Sequence, residues 1–355
     1  MRGLAALFVF MSHLNLSLPE ADSLQHLQLT PLGIFFGGQA AVDFFFVLSG
    51  FVLAYPFMRE TLPADGLRFY GRFVLLRIAR IYPAYWFALL FCLVAMKLFV
   101  PAGMSGTGPW AQTFWLTGWQ NLTAPELIRH GLLIPDFDSR LIDPVSWTLV
   151  VEMRMSLLLP ILILAFGRWG GRVGTPLLLL LAFALARQME LFRYLPMFAM
   201  GVALARHLPQ IRLPGVRTSR LASGLLLAVA LAAYGSPYIF HFGRPRDDYL
   251  AAGGAVLLIA LALQPTLFGQ LLKIRPVQFL GRVSYSFYLL HLPVFLLMLS
   301  WLHPLLHSVG AVFILALPVI CLLSWLSFVG IERPALLLAR RRLVSTPAIV
   351  TYKRA

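Results

Sequence analysis

The chain has 355 residues, 59% hydrophobic and only 12% charged, where a soluble domain carries about 25% charged residues. The apolar excess runs along the whole length, which excludes a soluble domain held by a single anchor. A formal charge of +15 would point to nucleic acid in a soluble protein, but here the basic residues lie between apolar runs, so membrane topology accounts for them and no nucleic-acid partner is expected.

Ten candidate spans follow in chain order, at about 2–18, 33–58, 77–100, 146–167, 174–189, 192–208, 219–236, 249–268, 281–302 and 308–330. We therefore expect an all-α polytopic membrane helix bundle of about ten transmembrane helices. It covers residues 1–340, with a basic cytoplasmic tail at 341–355. The first run is interrupted by His13 and lacks a small-residue cleavage site, so it reads as a retained span and not a leader. The basic residues are asymmetric. One set of loops holds Arg59, Arg68, Arg72, Arg77 and Arg80, then Arg168, Arg172, Arg206, Arg212, Arg217, Arg220, Lys273, Arg275 and Arg282, and the tail adds six more. The opposite loops hold Arg129, Arg140, Arg187, Arg193, Arg244 and Arg246. That bias predicts an even number of crossings with both termini in the cytoplasm and the long 101–145 segment outside. Trp110, Trp115 and Trp119 in that segment suit an interfacial position. Cys92 and Cys321 sit in apolar runs as small hydrophobes, and no Cys/His spacing calls for a metal.

Ionisable residues deep in a bilayer cost ~2.5–3.5 kcal/mol or more on insertion scales, so each needs a reason. In the first span Arg2 and His13 lie on one helix face, ~16 Å apart along the axis, with Arg2 at the cytoplasmic edge and His13 near the midplane. Asp43 sits at similar depth in the second span, with Gly50 one heptad on, so either a groove or a close helix contact runs along that face. Arg77 and Arg80 open the third span at its cytoplasmic end, as phosphate ligands or as topology anchors. In "SWTLVVEMRMS", Thr148, Glu152 and Ser156 form a stripe at i, i+4 and i+8, which puts Glu152 nearer the outer surface than His13 and turns Arg154 away. In "GRVSYSFYLLHLPVF", Ser284, Tyr288 and His291 form a second stripe ahead of Pro293, which should kink the helix. Helix packing is the plain alternative for each of these groups. Asp136 and Asp138 read as solvated loop carboxylates, not as a glycosidase pair.

Six blocks carry a resemblance. "MRGLAALFVFMSH", "AAVDFFFVLSGFVLAY", "RIARIYPAYW", "SWTLVVEM", "GRVSYSFYLLHLPV" and "IERPA" occur in this order over most of the chain. Together they resemble the acyltransferase-3 family of membrane proteins. The resemblance implies transfer of an acyl group, usually acetyl from acetyl-CoA, to hydroxyls of surface polysaccharides, lipopolysaccharide, peptidoglycan or small glycosides at the bacterial inner membrane. Two departures stand out. The family usually has several residues before the arginine, so we expect the native chain to begin upstream of Met1. The hydrolase-like extracytoplasmic domain fused to some members has no counterpart in these residues.

Acyl transfer to an alcohol needs a base for the hydroxyl and stabilisation of an oxyanion. We expect Arg2, Arg77 and Arg80 to hold the phosphates of acyl-CoA, the donor substrate; no permanently bound cofactor is expected. His13 then serves either as base or as acyl carrier, Asp43 orients it, and Glu152 faces the outer acceptor, a glycan or glycolipid. Ser284, Tyr288 and His291 remain for substrate contact or structural support. The rival reading is a transporter or flippase of a glycan or lipid intermediate, with the same residues as proton relays; against it, no repeated halves are visible.

Overall fold

Backbone N–H and C=O groups in hydrocarbon must be satisfied within the chain, and long apolar runs therefore form helices. In the computed structural model, residues 1–19, 24, 27, 30–59, 65–115, 122–135, 137–211, 219–239 and 242–344 are described, and no strand occurs among them. The helices are α1 (Arg2–Ser17), α2 (Gly38–Arg59), α3 (Gly66–Leu98), α4 (Ala124–Leu132), α5 (Trp147–Trp169), α6 (Gly174–Gln188) and α7 (Leu195–His207). They continue with α8 (Arg220–Ile239), α9 (Arg246–Ala262), the short α10 (Leu267–Leu271), α11 (Arg275–Leu306), α12 (Val309–Ser327) and α13 (Arg333–Val344). All ten expected spans fall on helices. Among the described residues six helices are long and apolar enough to cross a membrane: α2, α3, α5, α8, α11 and α12 with its continuation. The other four, α1, α6, α7 and α9, have 16, 15, 13 and 17 residues.

One helix boundary differs from expectation with a consequence for the site. The third span was expected to open at Arg77, but α3 starts at Gly66, where the Asp65 side chain accepts from the Arg68 N–H. Its 33 residues make about 50 Å of helix, well beyond a ~30 Å hydrocarbon core. Arg77 therefore lies three turns inside the helix, and it is buried. At the other end α13 carries helix through Arg341 and Arg342 to Val344. Trp119, Asp136, Arg212, Arg217 and the tail from Ser345 lie outside the described residues.

The centre of the bundle is α1 packed between α2 and α11, with α7 against α2, α12 against α11, and α3 and α5 flanking. Glycine sets close approaches between these helices. A Cβ on Gly3 would lie 2.3 Å from the Leu280 backbone carbon of α11. A Cβ on Gly50 would lie 2.3 Å from the Phe198 carbonyl oxygen, and one on Gly201 2.1 Å from that of Val47. The face carrying Gly50 is thus filled by α7 and does not form a groove. The 101–115 segment folds over the end of the bundle opposite Arg2. Gly108 donates to the Ser17 carbonyl at 2.8 Å, and Gly103 sits on Ser300.

Candidate active site

Two cavities meet inside the bundle. The first, at the Arg2 end, is narrow, about 60 Å³, and is lined by Arg2, Arg77, Arg80, Glu152, Ser284 and Tyr285 among others. A buried guanidinium needs a partner, and two of the three have one. Arg77 forms an ion pair with Glu152 and donates from Nε to Ser156 Oγ at 3.0 Å. Arg80 forms an ion pair with Glu332 and lies 5.1 Å from the centre of the Tyr285 ring. Glu332 also accepts from Ser286 at 2.9 Å. Among the described residues Arg2 has no ion pair. Three guanidiniums against two carboxylates leave the cavity with one uncompensated positive charge.

These contacts revise the reading of Glu152. The stripe of Thr148, Glu152 and Ser156 does face the interior, but Glu152 reaches towards the arginines and not the opposite end. Because α3 begins eleven residues before Arg77, Arg77 sits deep enough to meet the second and third positions of the stripe. Arg154 points away, its Nη1 3.5 Å from the Leu191 carbonyl.

The second cavity opens at the other end and is much larger, about 570 Å³. Its lining includes His13, Asn15, Gln39, Trp110, Arg140 and Arg244. Here His13 meets His291, not Asp43. His13 Nδ1 lies 3.0 Å from His291 Nε2, and the Trp110 ring stacks on His13 with centroids 5.0 Å apart. His291 is fully buried, and its Nδ1 reaches the Tyr288 carbonyl at 2.7 Å and that of Phe287 at 3.2 Å. Trp110 is half-buried, and Trp115 is 6% exposed and donates to the Ile142 carbonyl at 2.9 Å, so both pack against the protein.

Asp43 belongs to a separate network. Its Oδ1 accepts from Gln39 Nε2 at 3.1 Å, and Gln39 Oε1 accepts from Arg244 at 3.1 Å. Arg244 and Arg193 in turn approach Asp248 at 3.7 and 3.6 Å. Asp43 is 1% exposed, and its Oδ2 has no partner among the described residues. It orders the wall of the larger cavity through Gln39. Asp138, on the same rim, is chelated by Arg140 at 3.0 Å through both oxygens, and these hydrogen bonds hold its carboxyl below the usual range.

Val42 and Tyr288 line both cavities. The Tyr288 hydroxyl is bonded to that of Thr148 at 2.9 Å, so α11 and α5 touch where the arginine cavity gives way to the histidine one. The second stripe thus divides: Ser284 borders the arginine cavity and bonds its own helix at Gly281, Tyr288 stands at the junction, and His291 holds His13. His291 follows His13 by 278 residues, so this meeting comes only from the packing of α1 on α11.

The chain matches the family model described as "Acyltransferase domain", that of acyltransferase-3, over residues 1–329. It belongs to the acyltransferase-3 family. Matching curated relatives include O-acetyltransferase OatA of Staphylococcus aureus strains NCTC 8325 / PS 47 and COL. Each is 24% identical over 297 residues, covering 75% of this chain and 47% of the relative. The chain thus spans about half the length of the curated relatives it matches. No solved structure gives a significant match.

Within this acyltransferase-3 chain, three residues at the cavities escaped the sequence reading. Glu332 ends a π-helical turn, Phe328–Glu332, between α12 and α13; such turns recur at functional sites, and a lone acid closing the last apolar run was its signal. Gln39, four residues before Asp43, was readable as an i, i+4 partner. Tyr285 donates to the Ile81 carbonyl at 2.8 Å beside Arg80; nothing in the sequence separates it from a packing aromatic.

Proposed function

We propose that this protein is a membrane O-acyltransferase that takes an acyl group from acyl-CoA, with acetyl the expected group, to a hydroxyl of a cell-surface glycan or glycolipid. The observation that carries the reading is the pair of cavities, one lined by arginines and the other by a histidine, sharing Val42 and Tyr288. Guanidiniums suit phosphate recognition, and the uncompensated charge at Arg2 favours an anionic donor in the first cavity. The larger cavity offers polar side chains and Trp110, the surface a sugar hydroxyl needs. The family supports acyl transfer, and the name of the S. aureus relatives, O-acetyltransferase, supports an acetyl group and an oxygen acceptor.

In the proposed reaction His13 removes the proton from the acceptor hydroxyl as its oxygen attacks the thioester carbonyl. The new C–O bond forms, the C–S bond breaks, and the proton passes from His13 to the departing thiolate, giving ester and free CoA thiol. Arg2, Arg77 and Arg80 hold the donor, with Glu152 and Glu332 fixing the last two. Asp43 fixes Gln39 and Arg244 on the acceptor side and is not the orienter of His13. The arginine bias of the loops supports an even number of crossings of a bacterial inner membrane, with both termini cytoplasmic and the histidine cavity facing outward.

The test is acyl-CoA-dependent modification of a glycan acceptor by purified protein in liposomes, comparing wild type with His13→Ala at matched insertion. Loss of a general base costs on the order of 10²-fold or more in rate. Near wild-type turnover in His13→Ala would remove His13 from the chemistry, and the reading with it.

A further inference from the structure

We infer that His291 is the positioning residue that fixes the tautomer of His13 and leaves its Nε2 as the proton acceptor, so that the base is oriented by a second imidazole and not by a carboxylate. The inference rests on the acyl-transfer reading for its consequence, but its premise is geometric.

Among the described residues His291 Nδ1 faces only backbone carbonyls, those of Tyr288 at 2.7 Å and Phe287 at 3.2 Å. A carbonyl oxygen accepts and never donates, so Nδ1 carries the hydrogen. In a neutral imidazole the other nitrogen, Nε2, then presents a lone pair. That lone pair points at His13 Nδ1, 3.0 Å away. Two lone pairs do not face one another at this distance, so His13 Nδ1 carries a hydrogen and donates it. The ring geometry agrees. The two planes differ by 6° and the centroids are 5.1 Å apart, which is the separation of an end-to-end N–H···N bond and not of a face-to-face stack. By elimination the lone pair of neutral His13 resides on Nε2, the nitrogen with no partner among the described residues.

The competing arrangement has a doubly protonated His291 donating to His13. It would place a cation at a fully buried site packed by Phe10 and Phe287. No carboxylate bonds either ring among the described residues, and an unpaired buried charge is disfavoured. Trp110 stacked on His13 holds the ring plane but has no say in the tautomer, since a ring face neither accepts nor donates along the N–H axis. Among the described residues His291 alone performs that selection. As Nε2 takes the acceptor proton, the Nδ1–H bond to His291 strengthens, because its donor becomes charged.

The experiment uses the full chain in detergent or nanodiscs with ¹⁵N-labelled histidine, assigned by comparing wild type with His13→Gln and His291→Gln. Both rings should be neutral with hydrogen on Nδ1 near neutral pH. His13 with hydrogen on Nε2, or a doubly protonated His291, overturns the inference whatever the enzyme transfers. The kinetic arm compares His291→Phe, which keeps bulk but offers no acceptor, with His291→Gln, whose carbonyl can receive the Nδ1–H. His291→Phe should lower kcat between ~10- and ~10⁴-fold with KM for both substrates little changed, and His291→Gln should recover most of it. Equal loss in both variants, or a loss confined to KM, reduces His291 to packing. If His291→Phe does not fold, the tautomer spectra and the kcat of His291→Gln decide. An active His13→Ala, by contrast, defeats the acyl-transfer role of His13 while leaving the tautomer assignment intact.

Discussion

Glu152→Leu tests the arginine cavity most directly. The substitution keeps the bulk of the side chain and removes the charge that pairs with Arg77. The Arg77 side chain is 9% exposed and that of Glu152 24%, so the guanidinium is left in the interior with Ser156, 3.0 Å from Nε, as its remaining bonded partner. Breaking a fully buried pair costs about 3–5 kcal/mol. Partial water access on the Glu152 side brings the expected loss to about 2–3 kcal/mol. The assay is thermal unfolding in detergent followed with a thiol-reactive fluorophore, reading Cys92, which is 0% exposed in the fold, in a Cys321→Ser background. The unfolding temperature should fall by several degrees. The double variant Arg77→Met/Glu152→Leu removes both charges, leaves the net charge of the cavity unchanged, and should recover most of the loss through a favourable coupling. Because Glu152 stands with the arginines, the single variant should also change donor binding and leave the KM of the acceptor alone. Wild-type unfolding of Glu152→Leu, additive losses in the double variant, or a defect confined to the acceptor would each refute the pairing.

Arg2→Ala should weaken acyl-CoA binding by ~10- to 100-fold, the worth of one charged hydrogen bond, with little change in unfolding temperature, since Arg2 has no ion pair among the described residues; calorimetric titration showing wild-type affinity would remove Arg2 from the donor site. Asp143, in the loop before α5, is fully buried, and burial pushes its carboxyl up to about 7. A raised folded value favours the neutral acid in the fold, so this stability is present below the unfolded value and is lost as pH rises through about 7. Asp143→Asn, which keeps an acceptor for the Val145 N–H, should match wild type near pH 4 and exceed it at pH 8, by at most about 4 kcal/mol; parallel pH profiles of the unfolding temperature would refute this. For orientation, a cysteine at Arg140, whose side chain is 65% exposed, should react with a membrane-impermeant maleimide in intact cells, and one at Arg172 only after permeabilisation; the reverse pattern would invert the topology.

Much of this molecule is written locally. Apolar runs become helices because a hydrocarbon solvent leaves the backbone no other partner, so all ten expected spans landed on helices. Polar stripes at helical spacing announce an inward face, and Thr148, Glu152 and Ser156 do face inward. What a sequence supplies for a buried residue is its depth along one helix; what a contact requires is also the rotation of that helix and its offset against a neighbour. His13 and Asp43 were expected at similar depth and therefore as partners, but depth alone fixes no contact. The tertiary structure chose His13 with His291, because Gly3 lets α1 lie directly on α11 at Leu280. It gave Asp43 to Gln39 and the arginines of the opposite end. It drew Glu152 to Arg77, because α3 starts a full eleven residues before that arginine. The residue types needed for acyl transfer were legible one helix at a time, but their partners were decided by glycine-sized differences in how closely the helices approach.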